Sequence, residues 1–564
     1  MADQVRTRLR SLALGTSALA LASTAAIAPA TANDVGDPIR DIIIWSRPQA
    51  ANPQAFQAAE LIAQAWRELG LQVEVRGIPR PQQSDIVWFN RDSWDTTMWQ
   101  MVGRAERSDP DELVFNLFHS STAESGFNFV GFNSEEYDRL VEAQRLATDP
   151  DERRELIQQA QRMIAAEQPY MFLVHPTQVY AFNSSVWDPE TIIEQAGLGI
   201  KNFWTYISAT PVGSQRDMIL NSSDELNAIS PMYISGASDS WVTELIWDRL
   251  MRIGPDGLPQ PWSAESYEWV DDVTLELTLR EGMTWHDGEP VTVEDVIFSF
   301  EAPAMGDKVP MYRPFVQDIE SIEAVDDRTV RMVLRQPNAS FLTSSIAKIN
   351  LVPKHVWGPI MEDLMDRPEN AESVVEESRI GSGPFRFVEW SAQQQVVLEA
   401  NPDHWAAPNM DRWILRIVPN VEAALGMLRS GSVNFMSDYT GDPEILMDIA
   451  ARDPNIETVQ SVDIGFQFLA FNNRRPPFSD ANFRRALSFA VPRELMMAAA
   501  WNGFAVPANS MVSPVLDFWH YDGVLPIEAG VEVARRHLEA GGFKLVNGRL
   551  HYPAGMSETL TSSR

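Results

Sequence analysis

The side chains that most often carry chemistry are few and scattered in this sequence. There is no cysteine, which excludes disulfides, thiolate metal sites and cysteine nucleophiles. The eight histidines are dispersed, and no two stand at the spacing of metal ligands. The motifs HExxH, GxSxG, GxxxxGK[ST] and GxGxxG, which mark metalloproteases, hydrolases and nucleotide-binding sites, do not occur. We therefore expect a protein that is not an enzyme and has no catalytic residue, metal or cofactor.

Two histidines stand in contexts that predict a structural role. His286 lies within WHDGE, where Asp287-Gly288 indicates a turn packed on a strand. His175 lies in the apolar run LVHP, which is typical of a buried core position. Neither residue is a candidate ligand for a metal.

The charge balance narrows the range of partners. The 564 residues include 45 Lys and Arg against 78 Asp and Glu, a net charge of -33. Nucleic acid and anionic membranes need a basic surface, so neither is an expected partner. An acidic, soluble surface is the ordinary interpretation, and a cationic ligand is the alternative that charge leaves open. The length and the 45% hydrophobic content predict two or three globular domains.

Residues 1–32 have the pattern of a secretory signal peptide. Three arginines precede an apolar run over 12–27, and the small residues Ala30-Thr31-Ala32 follow it. The run is too short for a secure membrane anchor, which needs about 20 strongly apolar residues. We expect cleavage near Ala32 and a soluble mature protein in the periplasm.

Hydrophobic periodicity predicts an α/β architecture. IRDIIIW (39–45) has the composition of a buried strand, residues 53–69 carry one apolar helical stripe, and LQVEVRGI (71–78) alternates as a strand does. A second amphipathic helix is predicted over 149–167. The runs NFWTYISA (202–209) and DMILNSS (217–223) are predicted as strands on either side of a linker-like segment.

A set of longer segments resembles family 5 of the extracellular solute-binding proteins, which serve peptide, nickel and some sugar ABC importers. The segments are AESYEWVDDVTLELTLREGMTWHDGEPVTVEDVIFSFE (264–301), RIGSGPFRFVEW (379–390), LEANPDHW (398–405), AFNNRRPPFSDANFRRALSFAV (470–491) and, earlier in the chain, DTTMWQMVGRAERSDPDELVFNLFHSS (95–121) and FNFVGFNSEEYDRLVEAQ (127–144). The last two resemble the C-terminal part of the family, although here they precede the other segments. The resemblance therefore implies a circular permutant joined within 210–216.

The resemblance implies a periplasmic-binding-protein-like fold of two lobes and three subdomains (class II) with a hinge. We expect residues 38–195 to form the first part of the second lobe and 196–216 to form a return strand and the permutation linker. Residues 217–462 would form the first lobe with the WHDGE subdomain, and 463–564 the rest of the second lobe.

The resemblance also suggests site residues. In peptide-binding members an acidic residue three positions before an acidic-Pro pair holds the amino terminus of the ligand, which places Glu106 in that role before Asp109-Pro110. Alternation adds Arg104 and Val102, and Arg104 could instead grip a carboxylate in a bidentate manner. On the opposing lobe the implied contacts are Ser235, Gly236 and Ala237. The family often has Asp rather than Glu at 106 and tryptophan rather than Gly103, and Val491-Pro492 also departs from its pattern.

The function implied is that of the monomeric periplasmic substrate-binding component of an ABC importer. It would bind oligopeptides or dipeptides by hinge closure and deliver them to a membrane permease. Binding of an oligosaccharide, an opine or another small solute by the same fold is the main alternative. A secreted hydrolase is the less supported alternative, because it would require a nucleophile or metal site that the sequence does not display.

Overall fold

The computed structural model describes residues 35–124, 126–233, 237–368, 371, 379–523 and 529–557. The predicted signal peptide (1–32) and its cleavage position lie outside these residues. Within them, no helix is both long and apolar enough to cross a membrane.

The structure is mixed α/β, as the periodicity predicts. The strands are β1 (Ile42–Ser46), β2 (Val73–Gly77), β3 (Thr96–Met101), β4 (Tyr170–Asn183), β5 (Asp217–Ser222), β6 (Met251–Ile253), β7 (Pro259–Pro261), β8 (Ala264–Trp269), β9 (Thr274–Leu279), β10 (Ile319–Ala324), β11 (Thr329–Leu334), β12 (Phe385–Ser391), β13 (Gln395–Ala400), β14 (Arg412–Ile417), β15 (Phe435–Met436), β16 (Ile456–Val462), β17 (Phe466–Phe471), β18 (Ala505–Pro507), β19 (Lys544–Val546) and β20 (Arg549–His551). The helices are α1 (Pro53–Arg67), α2 (Arg80–Ser84), α3 (Glu135–Leu146), α4 (Pro150–Glu167), α5 (Phe203–Ser208), α6 (Ala237–Ile246), α7 (Val293–Glu301), α8 (Lys354–Met365), α9 (Val421–Ser430), α10 (Pro443–Arg452), α11 (Ala481–Phe489), α12 (Arg493–Trp501) and α13 (Val531–Ala540).

One sheet of twelve strands runs through both lobes. Its order is β12-β13-β14-β5-β15-β4-β17-β3-β1-β2, and β16 and β18 also pair with β4. The first lobe contains β12 to β15, β5 and β16, whereas the second contains β1, β2, β3, β17 and β18. A separate antiparallel sheet of order β10-β11-β9-β8 forms the smaller subdomain of the first lobe.

The strand β4 belongs to both lobes. Residues 170–174 pair with β17 in the second lobe, and residues 177–183 pair with β16 in the first. A second connection runs beside it from β16 to β17, and the Asp463 N–H donates to Pro176 O at 2.9 Å where the two connections cross. The lobe boundary predicted from the sequence, at residue 195, is too late in the chain. Tyr180, Phe182 and Trp187 lie in the core of the first lobe, so 177–195 belongs there.

The second lobe begins with the predicted strand, helix, strand unit. The strands β1 and β2 are parallel, with Ile42 opposite Val73. The side chain of Asn52 caps α1 by accepting the Ala55 N–H at 2.9 Å. Ala59, Ile62, Ala63 and Trp66 form its buried stripe. On one face of the sheet α1 packs with α11, α12 and α13, and on the other α3 and α4 cover the aromatic core. The helix predicted over 149–167 is α4.

The WHDGE segment is a turn, as predicted. The Gly288 N–H donates to Trp285 O at 2.9 Å, and Gly288 has a φ of 95°, which glycine adopts without strain. The His286 imidazole is hydrogen-bonded to the backbone of the segment before β12. Its Nε2 lies 3.0 Å from Gly383 O, and its Nδ1 accepts the Gly381 N–H at 3.2 Å. His286 and His175 are thus structural in this fold, and burial lowers the pKa of each imidazole to about 4.

Residues 202–209 form a helix rather than the predicted return strand. The side chain of Asn202 accepts the Thr205 N–H at 2.9 Å and thereby caps α5. Phe203 and Tyr206, three positions apart, occupy its buried face. Because the run is short and apolar, its period could not be resolved from the sequence. Val491-Pro492 also gains a structural explanation, since Pro492 separates α11 from α12 and precedes the first turn of α12.

The first and last described segments of the chain pack together in the second lobe. The Ile39 N–H donates to Leu550 O, and the Tyr552 N–H donates to Asp37 O. Leu538 of α13 shares a buried core with Ile42 and Trp66. One lobe is therefore completed by segments that lie about five hundred residues apart, as the 510-residue separation of Arg549 and Ile39 illustrates.

This packing leads to a prediction about truncation. Removing residues 530–564 deletes α13 and the backbone partners of 36–39, so we expect hydrogen exchange in β1, α1 and β2 to lose protection. The sheet β10-β11-β9-β8 belongs to the other lobe and should stay protected. Hydrogen exchange with mass spectrometry measures both regions in one sample. Native-like protection persisting over 39–77 would show that β1, α1 and β2 fold without residues 530–564.

Candidate functional site

The predicted site segment lies at the edge of the second lobe that faces the first. Because β1 and β3 are parallel, their carboxyl ends meet at one edge of the sheet, where ligands of open α/β sheets commonly bind. Val102 and Arg104 follow β3 directly, and Glu106 lies in the single 3₁₀ turn Ala105–Ser108. Ser235 and Gly236 lie outside the described residues, and Ala237 is the first residue of α6 in the first lobe. Their roles in ligand binding remain predictions.

Glu106 forms an ion pair across the two lobes. Its Oε1 lies 2.5 Å from Arg249 Nη1, and the two side chains are only 11% and 6% exposed. The first lobe fixes this guanidinium, because Arg249 also donates from Nε to Asn350 Oδ1 at 3.1 Å and from Nη1 to Ala347 O at 3.0 Å. Burial acts to raise the pKa of Glu106, but the attraction of Arg249 and then of Lys348 outweighs it and lowers that pKa. The carboxylate is ionised at neutral pH.

A second ion pair between the lobes lies beside the first. Glu112 accepts from Lys348 Nζ of the first lobe and from Arg107 Nε at 2.9 Å. Burial opposes ionisation of Glu112, yet Lys348 and Arg107 hold its pKa well below the usual range. Arg107 also donates from Nη1 to Val102 O, which fixes the end of β3.

Backbone groups complete the contact between the lobes. Ser108 Oγ donates to Gly257 O at 2.8 Å, and the Ala339 N–H donates to Arg145 O at 2.7 Å. The structure therefore represents a closed arrangement of the lobes.

Gly103 lies where the segment after β3 approaches the connection between β16 and β17 closely. A Cβ atom at this position would lie 2.1 Å from Asp463 Oδ1. Asp463 in turn accepts the Gly465 N–H at 2.7 Å and fixes the turn between β16 and β17. The tryptophan that resembling proteins often have here would not fit in this closed arrangement.

A buried lysine lies on the first-lobe side of the cleft. Lys201 Nζ is 3.1 Å from the ring centre of Trp241, a cation–π contact. Burial lowers the pKa of Lys201 to about 8, against the opposing attraction of Asp438, Asp224 and Asp463.

The carboxyl ends of β1 and β3 also border a small cavity of the second lobe, of about 10 Å³ or roughly the space of one water molecule, which the sequence patterns did not predict. Arg47, which follows β1, and Arg80, which begins α2, line it together with Trp99. The Arg80 guanidinium lies 3.7 Å from the ring centre of Trp99. Burial, and then repulsion by Arg47, lower the pKa of Arg80 to about 10. Both arginines come just after strands of the predicted unit, and that position is the signal that could have found them.

No sequence pattern marked Arg249 as a site residue. It lies 143 residues from Glu106 along the chain and follows a helix with no distinctive motif. Within the described ranges, no group of three or more His, Asp or Glu is arranged so that it could hold a metal ion.

The Glu106–Arg249 pair leads to a prediction about closure. Glu106→Gln removes the carboxylate that is bonded to the buried Arg249 guanidinium, at a cost of about 3 to 5 kcal/mol. Opening of the lobes would hydrate Arg249 and relieve that cost. We expect small-angle X-ray scattering of the ligand-free variant to give a larger radius of gyration than the wild type.

Two further variants make this test specific. Glu106→Gln combined with Arg249→Met removes both charges and should return the radius toward the wild-type value. Glu135→Gln, which breaks the exposed pair of Glu135 with Arg139 on α3, should leave the radius unchanged. Equal radii for the wild type and Glu106→Gln would show that the pair does not hold the lobes together.

A buried carboxyl behind Arg249 predicts a pH dependence. Burial raises the pKa of Glu244 to about 7, despite Arg249 and Arg252 nearby. Its folded pKa lies above the unfolded value, so its contribution to stability is complete below about pH 4.5 and is lost as the pH rises through 7. Glu244→Gln cannot titrate. The variant should therefore gain stability relative to the wild type between pH 5 and pH 8, by about 3 kcal/mol at 1.36 kcal/mol per pKa unit. Urea denaturation at the two pH values measures this, and an equal difference at both would contradict it.

Comparison with known proteins places this geometry in a family. The profile of the bacterial extracellular solute-binding proteins, family 5 Middle, matches residues 259–563. The oligopeptide-binding protein AppA of Bacillus subtilis is 24% identical over 338 residues, which cover 59% of this chain and 60% of that protein. A putative ABC transporter peptide-binding protein of Brucella ovis is 28% identical over 293 residues, covering 50% and 52%. The chain thus matches little more than half the length of these relatives.

Solved structures give similar coverage. Bacillus subtilis AppA in complex with a nonapeptide is 22% identical, with a TM-score of 0.49 over 60% of this chain and 67% of that one. Campylobacter jejuni NikZ in complex with Ni(L-His) is also 22% identical, with a TM-score of 0.48 over 60% and 66%. Because the family profile matches more than half of the sequence, the chain belongs to family 5 of the bacterial extracellular solute-binding proteins.

Proposed function

We propose that this chain is the substrate-binding component of an ABC importer. It encloses a peptide or another small solute between its two lobes and presents the closed form to a membrane permease. One observation supports this above the others. The two connections between the lobes, β4 and the segment from β16 to β17, lie side by side and are hydrogen-bonded to each other. Paired connections of this kind permit hinge closure over a cleft.

The ligand class rests on the relatives. AppA of Bacillus subtilis is an oligopeptide-binding protein and the Brucella ovis relative is a putative peptide-binding protein, which favours peptides. The heme-binding protein A of Haemophilus influenzae is 25% identical over 55% of this chain, so a solute other than a peptide is the alternative ligand. We place the protein in the periplasm as a monomer, after cleavage near Ala32. We assign it no enzymatic activity.

We also propose that the chain is circularly permuted relative to its family. The order of the resembling segments supports this, and so does the packing of 36–39 against 550–552, which joins the two ends of the sequence within one lobe. Loss of protection in 39–77 on removal of 530–564 is the outcome that the permutation requires.

Mass spectrometry of retained ligand tests the proposed function. The full chain, secreted into a periplasm and purified without denaturant, should release small peptides when it is denatured. Adding a good peptide ligand at about a hundred times its dissociation constant should stabilise the protein by about 2.7 kcal/mol, a rise of a degree or more in melting temperature. A secreted protein of another fold, purified in parallel, controls for carry-over.

A panel of oligosaccharides in the same thermal assay distinguishes the alternatives. Stabilisation by sugars alone would replace peptides with a carbohydrate ligand within the same binding function. Turnover of a chromogenic ester, glycoside or peptide substrate would overturn the assignment as a binding protein.

A further inference from the structure

The carboxylates that the second lobe directs at the first lobe already have cationic partners. Glu106 is paired with Arg249, and Glu112 is paired with Lys348 and Arg107. In each pair the cation of the first lobe reaches across to the carboxylate, and all the side chains are at least 85% buried. A ligand ammonium arriving here would have to displace a guanidinium or an ammonium of the protein itself.

The local charge adds to this obstacle. Arg104 lies close enough to both Glu106 and Glu112 to attract them, and it is repelled by Arg107. Together with the pair behind Arg249, the cluster contains three carboxylates, those of Glu106, Glu112 and Glu244, and five cations, namely Arg104, Arg107, Arg249, Arg252 and Lys348. A further positive charge is disfavoured, and a negative charge is favoured.

The acidic side chains on the other side of the cleft are also neutralised by a cation of the protein itself. Lys201 lies among Asp224, Asp438 and Asp463 and stacks on Trp241. Asp438 is bound further by the Ser223 backbone N–H at 2.6 Å and the Ser223 hydroxyl at 2.5 Å. The place that an ammonium would take among these acids is therefore filled by Lys201.

Three guanidiniums of the described ranges, by contrast, form no ion pair with a carboxylate, although Arg104 is attracted by Glu106 and Glu112 and Arg80 by Asp224 at longer range. Arg47 and Arg104 each have a buried Nε that makes no hydrogen bond in the described part of the chain. Arg80 stacks on Trp99 beside Arg47, and both line the cavity at the carboxyl end of β1. Across residues 35–124 and the other described ranges, no carboxylate lies within 4.0 Å of any of the three. A buried guanidinium requires an anion or hydrogen-bond acceptors, which an acidic ligand supplies.

We propose that the cleft binds an acidic solute and does not recognise a free amino terminus, and that Arg249 determines this specificity by occupying the position of a ligand ammonium. The acid groups of the ligand pair with Arg47, Arg80 and Arg104, and Arg249 keeps Glu106 from gripping an amine. This inference rests on the proposed solute-binding function. The resemblance implies that Glu106 binds a positively charged ligand group, whereas here the protein binds a negatively charged one.

Pooled peptides with defined ends provide the test. Four equimolar pools of random tri- to pentapeptides carry both termini free, an acetylated N-terminus, an amidated C-terminus, or both modifications. Each pool is titrated against the full chain by native mass spectrometry. The acetylated pool should bind the wild type as tightly as the free pool, and each amidated pool should bind about tenfold or more weakly because it lacks the terminal acid.

Variants separate a specificity role from a structural one. Arg249→Met frees Glu106 and should make the free pool bind about tenfold more tightly than the acetylated pool, whereas a merely structural defect would weaken all four pools alike. Arg249→Lys keeps the cation and should behave as the wild type. Arg104→Gln should reduce the preference for a free carboxylate, and Arg139→Gln on the exposed face of α3 serves as the matched control.

The outcomes distinguish the two proposals. A wild type that prefers free over acetylated amines by tenfold, with the preference lost in Glu106→Gln, would overturn the inference and leave solute binding intact. If none of the four pools binds, both the peptide assignment and the inference fail. If Arg249→Met does not fold, the affinities of the free and acetylated pools for the wild type and for Arg249→Lys still test the inference. A tenfold preference for the free pool in both would overturn it.

Discussion

A single continuous strand ties the two lobes of this protein together. Because β4 pairs with β17 at one end and with β16 at the other, its hydrogen bonds fix how the two halves of the large sheet meet. The second connection must then pass beside it, and the contact from Asp463 to Pro176 holds the two together. This arrangement places the carboxyl ends of β1 and β3 opposite the first lobe. The position of the cleft and the ion pairs between the lobes follow from it.

The electrostatics of the cleft differ from those of the molecule as a whole. The sequence carries a net charge of -33, yet the cluster around Glu106 contains more cations than carboxylates. A negative exterior repels anions at long range, although salt screens this beyond about 10 Å. Selection of an anion must therefore come from short, buried contacts, where the attraction between charges is strongest. Net charge alone left a cationic ligand open as an alternative, whereas the local arrangement favours the opposite sign.

Much of the fold could be predicted from the sequence, because local patterns determine it. The stripe of α1, the apolar run of β1 and the turn at WHDGE depend on neighbours within a few residues. The helix α5 was missed because its run is too short to separate the two periods. The lobe boundary near Pro176 was missed because β4 continues through it with no turn or glycine to mark the crossing.

The candidate site was predictable only in part, because its partners are distant in sequence. Glu106, Arg104 and Val102 were singled out through the resemblance to family 5, and the structure places them after β3, where Glu106 faces the first lobe; their role in binding stays a prediction. Arg249 and Lys348 could not be connected with them, since pairing across 143 and 236 residues leaves no local trace. The clash that excludes a side chain at Gly103 likewise depends on Asp463, far along the chain.

The packing of residues 36–39 against 550–552 has a consequence for how the chain acquires its structure. The segment 177–462 contains nearly all of the first lobe and can fold as its residues become available. The strand β1 and helix α1 are made early, but their cover in α13 and β20 comes about five hundred residues later, a separation illustrated by the 515 residues between His551 and Gly36. Contacts of such high sequence separation form slowly and leave apolar surface exposed meanwhile. We therefore expect the second lobe to complete its fold after the first, with its apolar faces exposed for longer.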